Sequence, residues 1–167
     1  MTTDVMKTAG RFAVFLLVQV LVLGRIHLFG YATPLLYVYF VAQFPRSYPK
    51  WALLLWGFAM GLCVDVFSNT PGVAAASLTL VAAVQPYYFE LFVPRDSVYN
   101  LSPSMAAVGP AKYAYYIVPL VVFYCLLFFS LEMFSFSNWV QWLLCVSGSA
   151  AVTLALIFTF ELVRSKQ

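Results

Sequence analysis

Apolar residues in this chain come in six long runs, over 12–29, 32–45, 51–67, 71–92, 113–132 and 139–163, separated by short polar or turn-forming breaks. A helix that crosses a bilayer takes about 20 such residues. The pattern therefore predicts an all-α, polytopic membrane protein, a six-transmembrane-helix bundle forming a single integral membrane domain over 1–167. The first two runs are short for a full crossing, and Arg25, His27, Gly30 and Pro34 turn the chain between or within them. The second helix is expected to begin before Pro34, or to sit tilted and shielded by its neighbours. The one long connection, 93–112, carries Pro94, Pro103, Gly109 and Pro110 and reads as a loop. Pro119 falls inside the fifth helix and should kink it, because proline lacks the N–H that closes the preceding turn.

Composition changes the picture by fixing the solvent. The chain is 63% hydrophobic and 9% charged, against roughly 45–50% and 25% for soluble domains. Six spans use about 120 residues, which leaves no room for a soluble catalytic domain in 167. Nine Lys and Arg against six Asp and Glu is too weak an excess for a nucleic-acid binder. Cys63, Cys125 and Cys145 lie far apart in apolar stretches, an odd set with no CxxC pair, and read as small buried hydrophobes. Lys7 and Arg11 before an apolar run resemble the start of a secretory signal. No small-x-small site follows Val22-Leu23-Gly24-Arg25, so the first helix is expected to be retained.

Charge then sets orientation. With six spans, Lys7, Arg11, Arg46, Lys50, Arg95, Lys112, Arg164 and Lys166 share one side, and Arg25 alone lies on the other. The positive-inside bias predicts that both termini are cytoplasmic. Tyr48, Trp51, Tyr87, Tyr88, Tyr113, Tyr115 and Tyr116 fall at the headgroup level on the same side, and Trp139 and Trp142 on the opposite one.

Helices in lipid are held by close packing and interhelical hydrogen bonds. Gly57, Gly61 and Asp65 follow one another at steps of four, and so do Ser147, Ala151, Ala155 and Thr159; the fourth run is rich in Ala, Ser and Thr. These stripes read as internal packing, with contact to a partner protein as the alternative. Asp65 is the most informative residue, since a carboxylate inside a membrane needs a partner. Arg25 and the free N–H groups opening the fourth helix are the two candidates. Ser68-Asn69-Thr70-Pro71-Gly72 supports the second: Thr70 can cap, and Pro71 suits a first helical position. Asp65 is thus expected to clamp the hairpin of the third and fourth helices; a proton- or ion-carrying role is the sharper alternative. Gln19 is a buried amide that should bond a neighbouring helix. His27 is the sole histidine and reads as interfacial, and no catalytic, metal or cofactor motif is present in the sequence.

The segment Gly57-Phe58-Ala59-Met60-Gly61-Leu62-Cys63-Val64-Asp65, followed by Phe67 and Asn69-Thr70-Pro71-Gly72, resembles the bacterial rod shape-determining MreD family. Gln19, Pro34 and the late Phe128-Phe129-Ser130-Leu131-Glu132-Met133-Phe134 segment extend the likeness over nearly the whole chain; Gln85-Pro86 departs from it, where many members carry a basic residue. The resemblance implies a non-enzymatic, cofactor-free subunit of the cell-elongation machinery in the cytoplasmic membrane. Its implied partner is the single-span protein MreC, in an assembly with actin-like MreB, an elongation glycosyltransferase and a penicillin-binding transpeptidase that builds side-wall peptidoglycan. It further implies a fold similar to the substrate-binding membrane components of energy-coupling-factor transporters. A small-molecule carrier of that kind is the competing function, with Asp65, Arg25, His27, Gln19 and Asn69 as its few polar candidates.

Overall fold

A computed structural model describes residues 2–21, 33–93, 103–133 and 138–165. Among them the only regular elements are helices: α1 (Thr2–Leu21), α2 (Val38–Ala42), α3 (Lys50–Ser68), α4 (Val73–Glu90), α5 (Met105–Val108), α6 (Pro110–Glu132) and α7 (Trp139–Ser165). Three of these, α3, α6 and α7, are long and apolar enough to cross a membrane. At 1.5 Å per residue they measure about 28, 35 and 40 Å, against a hydrocarbon core about 30 Å thick. Helix α1 starts in the polar N-terminal turns, ahead of the expected position 12. Helix α6 starts at Pro110, which fits a first helical position because its missing N–H would have no partner there.

Of the two forms expected for the second run, the structure has the shielded one: residues 34–44 are all buried, and among the described residues 33–45 only Val38–Ala42 forms an α-helix, which begins after Pro34 and not before it. This segment runs as a core strut between the long helices. Thr33 sits beside Ser149, Leu35 beside Thr153 and Tyr39 beside Glu161, so it follows α7 in the same direction. From Ser149 to Glu161, α7 advances about 18 Å. Against α6 the strut runs the opposite way, with Tyr37 meeting Tyr124 and Ala42 meeting Tyr116. Turn and helical bonds close the strut's own backbone from Leu35 to Phe44, so only the groups at its two ends need partners from the enclosing protein.

The two ends of the bundle differ. One gathers Lys7, Arg11, the 45–49 turn, Lys50 over the Tyr87 ring, and Tyr88 against Tyr115. The other holds the α3–α4 turn. Pro119 lies inside α6 and cannot donate to the Tyr115 carbonyl one turn back. The Tyr88 hydroxyl donates to that carbonyl instead, at 3.1 Å. The described part of the 93–112 connection, from residue 103 on, holds a short helix, α5, which Ser104 caps, its hydroxyl accepting from the Ala107 amide.

Candidate functional site

The α3–α4 hairpin is built from the glycine stripe. Gly57, Gly61 and Asp65 are all buried. A Cβ on Gly57 would lie 3.0 Å from Ala82 Cβ, and one on Gly61 would lie 2.4 Å from Ala75 Cα and 2.7 Å from the Ala74 carbonyl. With the backbones this close, Asp65 reaches the start of α4. Its Oδ1 accepts from the Thr70 hydroxyl and the Ala74 amide, and its Oδ2 from the Ala75 amide, each at 2.9 Å. The N-cap position of α4 is Gly72, which has no side chain to offer, so Asp65 supplies the cap from the preceding helix. The negative charge also lies at the positive end of the α4 dipole.

The turn between them differs in detail from the sequence expectation. Asn69 takes a left-handed conformation (φ 56°) as the C-cap of α3, and Gly72 a second one (φ 81°). Thr70 does not cap α4 but donates to Asp65, and Pro71 lies in the turn, two residues before the first helical position at Val73. Both Pro71 and Gly72 are exposed. Arg25, the other expected partner of Asp65, and His27 lie outside the described residues.

A second constellation surrounds the strut. The Gln19 amide donates to the Pro34 carbonyl at 2.9 Å. Ser149 Oγ accepts from the Thr33 amide at 3.1 Å, and Thr153 Oγ1 from the Leu35 amide at 3.0 Å. Farther along, the Tyr116 hydroxyl donates to the Ala42 carbonyl at 3.1 Å and accepts from Gln85 at 3.0 Å. Gln85 also donates to the Phe44 carbonyl at 3.4 Å, so side chains of α1, α4, α6 and α7 take up the backbone groups at the ends of the strut, as a buried backbone requires.

Glu161 is the third feature. It is buried on α7 and accepts from the Tyr39 hydroxyl, while its other oxygen accepts from the Met105 amide at 3.0 Å. The carboxylate therefore ties strut, α7 and α5 together. Ser149, Thr153 and Glu161 were not singled out from sequence. Their signal is the i+4 series Cys145, Ser149, Thr153, Ile157, Glu161, whose polar members sit among buried positions.

The interleaved series Ser147, Ala151, Ala155 and Thr159, expected to pack inside, faces outward and is exposed at every position. The two hydroxyls on it bond back to their own helix, Ser147 to the Leu143 carbonyl and Thr159 to that of Ala155. Cys125 and Cys145 are buried and Cys63 is half-buried, all as free thiols. Gln19 Oε1 and Trp142 Nε1 are buried without a partner among the described residues. No protein-family model, curated protein or solved structure matches this chain.

Proposed function

We propose that this chain is a non-enzymatic scaffold subunit of the bacterial cell-elongation complex. In this reading it lies in the cytoplasmic membrane as a six-pass protein with both termini in the cytoplasm. It grips an MreC-like single-span protein through its helices and so positions that partner's periplasmic domain relative to the wall enzymes. Elongation glycosyltransferase, penicillin-binding transpeptidase and MreB are then reached indirectly, in support of side-wall peptidoglycan synthesis and rod shape.

The observation that carries this reading is the outward stripe of α7. Four small residues at steps of four stand exposed on one face, where another helix backbone can approach closely, the arrangement that drives helix association in lipid. The six-pass topology is supported by the strut, which follows α7 and opposes α6 as a second crossing would. The gathering of Lys7, Arg11 and Lys50 at one end supports a cytoplasmic face there.

Cysteines placed at Ala151 and Ala155, with Cys63 replaced by alanine, should crosslink to the partner's membrane helix in intact cells. Parallel series on α1 and α3 map the remaining faces; absence of crosslinks from all of them sinks the scaffold reading. Reporter fusions at both termini should give cytoplasmic signals.

One observation favours a second reading, a small-molecule-binding component of a transporter. Gln19 Oε1 is a buried acceptor without a partner among the described residues. Co-purification separates the two: a scaffold brings down the single-span protein, a carrier brings down a solute or ATPase subunits.

A further inference from the structure

A cleft of about 340 Å³ opens at the basic end, between the first turns of α1 and the turn that joins the strut to α3. Its walls have two chemistries. Lys7 and Arg11, one helical turn apart on α1, stand on one side with Ser47 and the buried Gln43 amide opposite. Phe44 and the exposed Trp51 ring form the apolar part. Trp51 at the mouth, with Lys50 stacked on Tyr87 beside it, puts the cleft where amphipathic rings sit in a bilayer, at the headgroups.

We propose that this cleft is a binding site for a singly charged anionic glycerophospholipid, phosphatidylglycerol being the simplest, with its phosphodiester on Lys7 and Arg11. Its glycerol stem and first methylenes lie against Phe44 and Trp51. The inference goes beyond the scaffold reading and rests only on the chain lying in a membrane. Among the described residues two cations and the one carboxylate of Asp4 line the cleft, a net charge of +1 that matches one phosphodiester. Asp4 opposes a second negative charge there. The volume suits a headgroup and the top of its chains, since small-ligand sites begin near 300 Å³. A soluble anion would use the cations alone and leave the aromatic wall bare. The cleft joins α1 to the strut and α3, so an occupant stabilises the docking of α1.

The full chain, reconstituted in nanodiscs of equimolar phosphatidylglycerol and phosphatidylcholine, tests this. Lipids retained on extraction are counted by native mass spectrometry, with thermal unfolding followed in parallel. Phosphatidylglycerol should be retained in excess and should raise the melting temperature. Lys7→Gln and Arg11→Gln, both at exposed positions, should each lower the retention ratio roughly fivefold. Lys112→Gln, an exposed cation outside the cleft, should leave it unchanged. An equal loss in Lys112→Gln means diffuse surface attraction and overturns the proposal. Equal retention of both lipids by the unaltered chain overturns it too, as does equal stabilisation by inorganic phosphate, which assigns the cleft to the free ion.

Discussion

Gly61 and Ala75 approach so closely that a methyl group on the glycine would fall 2.4 Å from the Ala75 Cα, with backbone atoms on all three nearest sides. Backbone cannot step aside as a flexible side chain does, so Gly61→Ala must push α3 away from α4. Overpacking a tight contact costs about 1–3 kcal/mol, and here the displacement also stretches the bonds from Asp65 to α4. Gly57→Ala meets the Ala82 methyl at 3.0 Å, a milder clash. Thermal unfolding of the purified chain should therefore rank wild type above Gly57→Ala and Gly57→Ala above Gly61→Ala. The reverse order would contradict the packing described.

Asp65→Asn should weaken the same hairpin by chemistry rather than volume. The amide keeps one carbonyl acceptor but turns an NH2 group toward an N–H donor at the start of α4. A buried donor left without an acceptor costs about 1–3 kcal/mol. Membrane abundance and melting temperature should both fall. Combined with Gly61→Ala, the loss should be smaller than the sum of the two single losses, because both variants break one α3–α4 contact. Full additivity would mean that Asp65 stabilises something else.

Those two residues were legible in the sequence because the signal is local. Gly57, Gly61 and Asp65 repeat at steps of four on one helix, and the N–H groups that Asp65 takes up follow within ten residues. The shielding of the second run was legible from its shortness, but the partners that hold it were not, because they come from far along the chain. Thr33 and Leu35 owe their partners to Ser149 and Thr153, 116 and 118 residues away. The two stripes of α7 show a related limit. Small size picked out Ser147, Ala151, Ala155 and Thr159, while burial follows the hydroxyls and the acid two residues out of phase. The Tyr88 hydroxyl that serves the carbonyl left open by Pro119 likewise needs the fold to be seen.

Glu161→Gln should loosen α5 rather than the bundle as a whole. Glutamine keeps one acceptor for either the Met105 amide or the Tyr39 hydroxyl, whereas the carboxylate serves both. Hydrogen exchange should rise at Met105 and its neighbours by about tenfold, the effect of losing one hydrogen bond worth roughly 1.4 kcal/mol. Amides within α3 should keep their protection. Tyr39→Phe offers a second probe: it removes one donor and leaves Met105 with its acceptor, so exchange at α5 should rise less. Uniform acceleration throughout the chain in Glu161→Gln would show that the carboxylate supports the whole fold instead.

The two faces of α7 make the sharpest contrast available. Ser149→Ala and Thr153→Val each remove the acceptor of a strut amide, so each should cost about 1–3 kcal/mol of stability. Ser147→Ala and Thr159→Val remove hydroxyls that bond only to their own helix on the exposed side, and the purified chain should unfold as before. Larger side chains separate the faces again. Ala151→Leu and Ala155→Leu lie on the exposed stripe, so they should leave the isolated protein stable. If a partner helix seats on that stripe, the same two variants should abolish its co-purification, because a leucine holds the two backbones apart. Ala150→Leu, on the buried side, should destabilise the chain before any partner is considered. A variant set in which Ala151→Leu unfolds the protein and Ala150→Leu does not would mean that α7 is rotated by about half a turn from the position described.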